Sequence, residues 1–356
     1  MKKTFVIVFG LLTIFLTLLP NTVSATTSST IAFTLRHLDF PANETLYTMN
    51  QNGANQTKVM SATSFDRLAF SPQETRELAI GYTIKQDKHY LSVLNDARTV
   101  TRKVDLSSWT GQPCWYQGKI IYGVYFDGIY QYDPVTDQNH KIINSSVSTY
   151  DHSPIVVGEN LYFVHSEWGT HSYVVSLPDW SQYIGKPILG PGWGYLDPSQ
   201  PPPPPFLSVL PDGRTGDADT NMQYNDVTRV LVDSAEIIRY IVGDNEPQTL
   251  KIPPNSRRTT QVYLSNDGQR VVFGTNKGVY VTSLVGKIKY HKISNLVVVE
   301  NVGSNAIAWS PTDNLIVVNG LDGIYLIGAL SKPYKHRIYK LNPKDSDKIN
   351  RIAWSH

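Results

Sequence analysis

The sequence is poor in cysteine and nearly balanced in charge. Its one cysteine, Cys114, cannot form a disulfide within the chain, so the core alone must stabilise the fold. We interpret Cys114 as a small buried apolar residue. The formal net charge is +2, and removal of Lys2 and Lys3 would leave 30 basic and 30 acidic residues. Neutrality argues against a nucleic-acid partner and against a polybasic membrane patch.

Long apolar runs are also absent, except for residues 5–19 at the N-terminus. This run follows Lys2 and Lys3 and precedes Val23 and Ala25, which is typical of a signal peptide, here residues 1–25. It is shorter than the ~20 residues of a membrane-spanning helix. An uncleaved N-terminal anchor is the alternative. We expect a secreted or periplasmic protein without a transmembrane segment after cleavage.

Aromatic residues are frequent, and tyrosines recur in a repeated context. Asp127-Gly128-Ile129-Tyr130 and Asp322-Gly323-Ile324-Tyr325 both show an apolar strand that opens at a turn. A repeat of ~40–50 residues built from short strands indicates propeller blades, because one four-stranded sheet cannot bury both faces without neighbours. The residues that mark this repeat are Tyr47, Tyr90, Tyr130, Tyr173, Ile238, Tyr280 and Tyr325. Successive markers are 43, 40, 43, 65, 42 and 45 residues apart.

A second marker lies one strand earlier in the repeat, where an apolar strand ends in serine before a polar turn. Ser265, Ser310 and Ser355 are spaced 45 and 45 residues apart. Alternating apolar residues followed by an Asn-Asp-Gly turn favour a hairpin within a blade.

The two markers divide the chain into blades. Residues 30–62 supply three strands without a first strand, and residues 348–356 are a lone copy of that first strand. We therefore predict an all-β chain, a single seven-bladed β-propeller over 26–356 with four-stranded antiparallel blades, closed by both termini. The complete blades are predicted at approximately 64–107, 109–145, 148–184, 186–255, 258–296 and 302–343.

The same segments resemble a known family. Residues 46–59 resemble the hairpin between the third and fourth strands of TolB-type, WD-like propeller repeats. Residues 68–72 and 308–313 resemble the next motif, a strand that ends in Ser-Pro before a polar hairpin. The resemblance weakens in blades three to five, where Ser-Pro is missing. It implies an exported propeller that serves as a binding platform or as part of a larger enzyme, and it implies no ligand.

The 65-residue step indicates an insertion in the fifth blade. Five consecutive prolines, 201–205, cannot donate ladder hydrogen bonds and favour an extended polyproline helix. Trp193, Tyr195 and Asp197 precede them among glycines and are our candidates for binding a sugar or a peptide. The alternative is a surface loop whose aromatic residues pack on their own blade.

A calcium-like spacing follows the prolines. Asp217, Asp219 and Asn221 match the first three oxygen ligands of a calcium loop. Met222 stands where such a loop requires glycine, and Thr228 stands where it requires glutamate. Ca²⁺ is therefore the one cofactor that the sequence suggests, and a solvated turn without a bound ion is the alternative.

Catalytic residues, if the chain has them, would come from the fourth blade. Asp151, His152, His165 and His171 are the densest group of titratable residues there. Some exported seven-bladed propellers are metal-dependent polysaccharide lyases, but these gather their histidines from several blades. The sequence has no Gly-x-Ser-x-Gly elbow of a serine hydrolase.

We therefore expect a monomeric, exported, non-catalytic propeller that binds a protein or a glycan at one mouth of its channel. The insertion at 186–225 would supply specificity. An extracellular glycan-active enzyme, either a lyase or a hydrolase, is the alternative. A scaffold for an envelope assembly is the third hypothesis.

Overall fold

The structure is a computed structural model in which every regular element is a β-strand and every strand pairing is antiparallel, over the residues that it describes. These are residues 29–37, 43–71, 77–84, 88–108, 113–145, 149–157, 160–167, 172–177, 222–224, 228–232, 237–242, 248–298, 306–329, 335–341 and 348–355.

The strands form separate sheets in chain order. Sheet 1 begins with β1 (Thr30–His37), β2 (Asn43–Asn50) and β3 (Thr57–Ala62). Sheet 2 contains β4 (Ser64–Phe70), β5 (Leu78–Ile84), β6 (Lys88–Leu94) and β7 (Val100–Leu106). Sheet 3 contains β8 (Cys114–Tyr116), β9 (Lys119–Val124), β10 (Gly128–Asp133) and β11 (Gln138–Asn144). Sheet 4 contains β12 (Thr149–Val157), β13 (Asn160–Glu167) and β14 (Ser172–Leu177).

Three further sheets follow. Sheet 5 contains β15 (Met222–Tyr224), β16 (Thr228–Val232), β17 (Ile237–Val242) and β18 (Gln248–Lys251). Sheet 6 contains β19 (Arg258–Leu264), β20 (Arg270–Thr275), β21 (Gly278–Ser283) and β22 (Tyr290–Ser294). Sheet 7 contains β23 (Ile307–Trp309), β24 (Leu315–Gly320), β25 (Gly323–Gly328) and β26 (Lys335–Lys340).

The last strand, β27 (Lys348–Trp354), returns to sheet 1 and pairs with β1. Ile31 lies opposite Trp354, and Ala32 lies opposite Ala353. The pairing ends in a backbone hydrogen bond of 2.8 Å from the Ser355 amide to the Thr30 carbonyl. Sheet 1 therefore has the order β27-β1-β2-β3, which joins the two ends of the described chain.

The burial pattern changes from the second to the fourth strand of each sheet. In β5, β9 and β20 nearly every residue is buried, because neighbouring sheets cover both faces. The fourth strands β7 and β26 are mostly exposed and carry lysine and arginine. Charged side chains on an edge strand discourage pairing with another chain. The fourth strands therefore form the outer edge of the fold.

The core lies between successive sheets. Val272 and Val281 of sheet 6 cluster with Ile316 and Ile327 of sheet 7. A second cluster joins sheets 7 and 1, and a third joins sheets 1 and 2. Sheets 6, 7, 1 and 2 thus depend on their neighbours to cover their faces.

Tryptophan hydrogen bonds connect neighbouring first strands. Trp115 Nε1 donates to the Ala69 carbonyl, and Trp309 Nε1 donates to the Tyr263 carbonyl, both at 2.9 Å. Donor and acceptor are 46 residues apart in both pairs, so the contact repeats with the sheets.

Candidate functional site

Three turns between second and third strands share one feature, although they differ in length. Residues 125–127, 276–277 and 321–322 each lead into a glycine that opens the third strand. Gly128 and Gly323 have φ values of 142° and 147°, and an added Cβ would lie 1.9 Å from a carbonyl oxygen of the fourth strand. The close approach of that strand requires glycine here. We call the end of the sheets that carries these turns the turn end.

An aspartate anchors the turn of sheet 3. Asp127 Oδ2 accepts hydrogen bonds from Tyr130 Oη at 2.9 Å and from Ser107 Oγ at 3.0 Å. Lys141 Nζ donates to Oδ1 of the same carboxylate. Partial burial alone would raise the pKa of Asp127, but hydrogen bonds from Lys141, Tyr130 and Ser107 outweigh it and lower the pKa. The carboxylate is therefore ionised at neutral pH and holds the turn.

Sheet 7 repeats this arrangement. Tyr325 Oη donates to Asp322 Oδ1 at 2.6 Å, and Arg337 Nη1 donates to Oδ2 at 2.7 Å. The hydrogen bond from Tyr325, followed by that from Arg337, lowers the pKa of Asp322 against the opposing effect of slight burial. In sheet 6 the aspartate is replaced by Lys277, and Tyr280 stacks on Phe273.

Each of several marker tyrosines lies beside a cation of the fourth strand, a feature that our sequence analysis missed. Tyr130 pairs with Lys141, Tyr280 with Lys292, Tyr325 with Arg337 and Tyr47 with Lys58, each next to a register shift. Lys103 Nζ lies 3.5 Å from the centroid of the Tyr90 ring. Cation–π contacts favour this pairing. The sequence does contain a signal for this pairing, because a lysine or arginine follows each of these tyrosines in the next strand of the hairpin.

Two of the anchored turns expose large apolar side chains. Phe126 is 43% exposed, and Leu321 is 84% exposed. Each of the two directly precedes the anchoring aspartate of its turn. The backbone of Phe126 has φ 60°, an uncommon conformation for a bulky residue. Strained residues cluster at ligand sites, and exposed apolar side chains on rigid turns suit recognition. We call Phe126 and Leu321 the tip residues.

The predicted catalytic residues lie near the turn end of sheet 4. Asp151 of β12 pairs with His165 of β13, and His152 pairs with Val164, before a register irregularity. His171 lies outside the described residues, in the stretch that joins β13 to β14. The part of the chain that the structure describes contains no group of three or more potential metal-binding side chains.

The predicted binding and calcium residues fall outside the described residues. These are Trp193, Tyr195 and Asp197, and Asp217, Asp219 and Asn221. They belong to the connection between β14 and β15. β15 begins opposite the end of β16, because Met222 pairs with Leu231. The connection therefore enters sheet 5 at its turn end.

Cys114 is half-buried as a residue, but its thiol is enclosed. Burial raises the pKa of the Cys114 thiol to about 12, against the opposing effect of a hydrogen bond with the Val156 backbone. The thiol is therefore protonated and unreactive at neutral pH.

Comparison with known proteins identifies the architecture. No family model and no curated protein matches the chain. A solved protein from Lactobacillus plantarum aligns with 92% of this chain and 99% of its own at 12% identity and a TM-score of 0.58. The β-propeller domain of Cps50 (Swd1) from Myceliophteria thermophila aligns with 84% of this chain and 97% of its own at 10% identity and a TM-score of 0.53. TolB from Acinetobacter baumannii aligns over 92% and 67%, at 13% identity and a TM-score of 0.47.

At these identities the similarity establishes the fold alone. The chain has the fold of a β-propeller, which confirms the class of fold that the sequence motifs predicted. Among the described residues, no helix is long and apolar enough to span a membrane.

Replacement of Asp127 by asparagine tests the anchor of the turn end. A carboxylate with a lowered folded-state pKa stabilises the fold above its unfolded pKa of about 3.9 and loses this effect as the pH falls through its folded pKa. We expect Asp127→Asn to lower the free energy of unfolding at pH 7 by about 1 kcal/mol, allowing for partial exposure. The difference from wild type should shrink as the pH falls from the unfolded pKa through the folded pKa of Asp127, measured by urea unfolding across pH. A cost that is the same at every pH would contradict the role of the charge.

Proposed function

We propose that this chain is an exported, monomeric, seven-bladed propeller that binds a protein or glycan ligand at its turn end. The exposure of Phe126 and Leu321 on equivalent, aspartate-anchored turns is the observation that carries the proposal. Propellers commonly present binding surfaces on the loops at one end of their blades. The insertion at 186–225, with Trp193, Tyr195 and Asp197, supplies specificity at the same end of sheet 5.

Closure of the ring belongs to this proposal. Seven sheets are present in the described residues, and contacts join β27 with β4, β4 with β8, β8 with β12, β15 with β19, β19 with β23 and β23 with β27. These contacts support a ring in which the first strands face a common axis. The signal peptide proposed at residues 1–25 would direct the chain to an extracytoplasmic location.

Capture experiments with two variants test the binding site. A glycan array and pull-down with purified candidate proteins would first identify a ligand of the mature chain. Deletion of residues 199–205 should leave the unfolding midpoint unchanged and abolish capture. The double variant Phe126→Ala/Leu321→Ala should weaken binding about tenfold or more, since a tenfold loss needs only about 0.7 kcal/mol from each tip residue.

A control at the other end of the sheets separates recognition from stability. Val135 is 83% exposed in the turn between the third and fourth strands of sheet 3. Val135→Ala should change neither affinity nor stability. Full retention of binding by both the deletion and the double variant would place the ligand elsewhere.

The pairing of Asp151 with His165 favours the second candidate function, a glycan-active enzyme. His152 and His171 would then complete the site in sheet 4. Incubation with acidic polysaccharides and divalent metal ions, followed by measurement of new unsaturated or reducing ends, tests it. Activity that is lost in Asp151→Asn and His165→Ala would establish an enzyme, and a complete lack of product would leave the binding function alone.

A further inference from the structure

The outer edge of the fold is basic, although the chain as a whole is nearly neutral. The fourth strands β3, β7, β11, β18, β22 and β26 together carry nine lysines and arginines but only one acidic residue, Asp105. The formal charge of the entire chain is only +2. At physiological salt, charges farther than roughly 8 Å from a docking surface are largely screened, so the net charge of the whole chain does not reveal this local excess of cations.

The densest part lies on sheets 6 and 7. Neither residues 284–298 nor residues 335–341 contain an acidic residue. All the cations of this patch, which we call the basic edge, are exposed: Lys287, Lys289, Lys292, Lys335, Arg337 and Lys340.

Packing brings the two parts of the basic edge together. Ile293 of β22 shares an apolar cluster with Tyr325 and Ile327 of β25, so the outer portions of the two sheets are neighbours. Lys335 Nζ lies 4.5 Å from the centroid of the Tyr325 ring. Among the described residues, Arg337 is the one cation of the basic edge that forms an ion pair with a carboxylate, that of Asp322. The patch therefore keeps a strong positive charge.

Exposed apolar residues are interleaved with these cations. Val285 is 50% exposed and Ile288 is 37% exposed, in the turn that also carries Lys287 and Lys289. A surface of cations and branched apolar side chains matches the boundary between lipid headgroups and acyl chains. A soluble polyanion would contact the cations but would gain nothing from Val285 and Ile288.

We propose that the basic edge docks on the surface of a membrane rich in anionic lipid, with Val285 and Ile288 entering the headgroup boundary. The turn at 284–289 joins the third strand to the fourth, so it lies at the end of sheet 6 opposite the turn at 276–277. Val285 and Ile288 thus contact the membrane at the end of sheet 6 opposite the turn end, whereas Arg337 and Lys340 of the basic edge lie beside the turn end of sheet 7. The inference is independent of the proposed ligand site, and either can fail alone.

Vesicle co-sedimentation with the mature chain tests the cations. The protein should bind vesicles of phosphatidylcholine with phosphatidylglycerol and should not bind phosphatidylcholine alone. Lys287→Glu/Lys289→Glu/Lys292→Glu should weaken binding by roughly a hundredfold, since each cation near an anionic surface contributes a factor of about five. The matched control Lys88→Glu/Lys277→Glu/Lys348→Glu changes the net charge equally at exposed sites that lie on no fourth strand, and it should lose less than about tenfold.

The apolar residues distinguish a lipid surface from other polyanions. Val285→Ser/Ile288→Ser should weaken vesicle binding about tenfold, since each removes apolar contact worth on the order of a factor of three or more. Equal unfolding midpoints for all variants would show that each is folded. No binding to anionic vesicles, equal loss in the control triple variant, or tight binding to soluble polyglutamate with no effect of Val285→Ser/Ile288→Ser would each overturn the proposal.

Discussion

Deletion of residues 348–356 is expected to leave a chain that does not fold. Ile349, Ile352 and Trp354 of β27 are 5%, 2% and 7% exposed. They share a cluster with Phe33 of β1 and Ile324 of β25. Loss of three such side chains removes on the order of 6 kcal/mol of burial. A typical domain has only about 5–15 kcal/mol of stability, and the deletion also exposes the pairing edge of β1.

Circular dichroism and size exclusion of the deletion variant measure this outcome, and we expect aggregation or an unfolded spectrum. A synthetic peptide of residues 348–356, added during refolding, should restore soluble protein. Deletion of residue 356 alone leaves β27 intact and serves as the control. A soluble deletion variant with the wild-type unfolding midpoint would show that sheet 1 does not need β27.

Replacement of Asp313 by alanine should cause the largest loss of stability among single substitutions at a hydrogen-bonding side chain. Asp313 is 4% exposed in the turn between β23 and β24. Its Oδ1 accepts from the Asn266 amide at 2.9 Å and from Asn266 Nδ2 at 2.8 Å. Its Oδ2 accepts from the Asp267 amide at 2.9 Å. One carboxylate thus connects the equivalent turns of sheets 6 and 7.

Removal of this carboxylate takes an acceptor away from two backbone donors and one side-chain donor. We expect Asp313→Ala to lower the free energy of unfolding by roughly 3–5 kcal/mol in urea titrations. Asp313→Asn keeps one acceptor and tolerates the φ of 55°, so its cost should be clearly smaller. Asp105→Ala, at an exposed side chain of β7, should change stability by less than about 0.5 kcal/mol. A cost below about 1 kcal/mol for Asp313→Ala would contradict this role.

The repeat made the class of fold predictable. A tyrosine on the third strand and a glycine before it are local requirements, because the fourth strand approaches Gly128 and Gly323 too closely for a Cβ. Such requirements leave the same short Gly-x-Tyr pattern in sheets 3, 6 and 7. The Ser-Pro turn before β24 recurs for the same reason, since Ser310 Oγ accepts from the Leu315 amide at 3.1 Å.

The connections between sheets were not predictable from local patterns. Trp309 donates to a carbonyl 46 residues earlier, and Asp313 binds a turn 46 and 47 residues earlier. Neither partner can be identified without the arrangement of the sheets. The basic edge was missed because net charge sums over a chain, whereas alternation along β22 and β26 decides which cations share a surface. The exposure of Phe126 likewise depends on the three-residue turn that carries it.

A disulfide between β1 and β27 tests the closed ring most directly. Ala32 and Ala353 are paired residues of an antiparallel ladder, and such pairs have Cα atoms about 4.5–5.5 Å apart, within the range that a disulfide spans. In a Cys114→Ser background, Ala32→Cys/Ala353→Cys should form an intramolecular disulfide almost completely on mild oxidation of the folded monomer. The control pair Ala32→Cys/Ala306→Cys, with residue 306 directly before β23 of sheet 7, should form none. Oxidised monomer that keeps both thiols free, or links only between chains, would show that the C-terminal strand does not complete the first sheet.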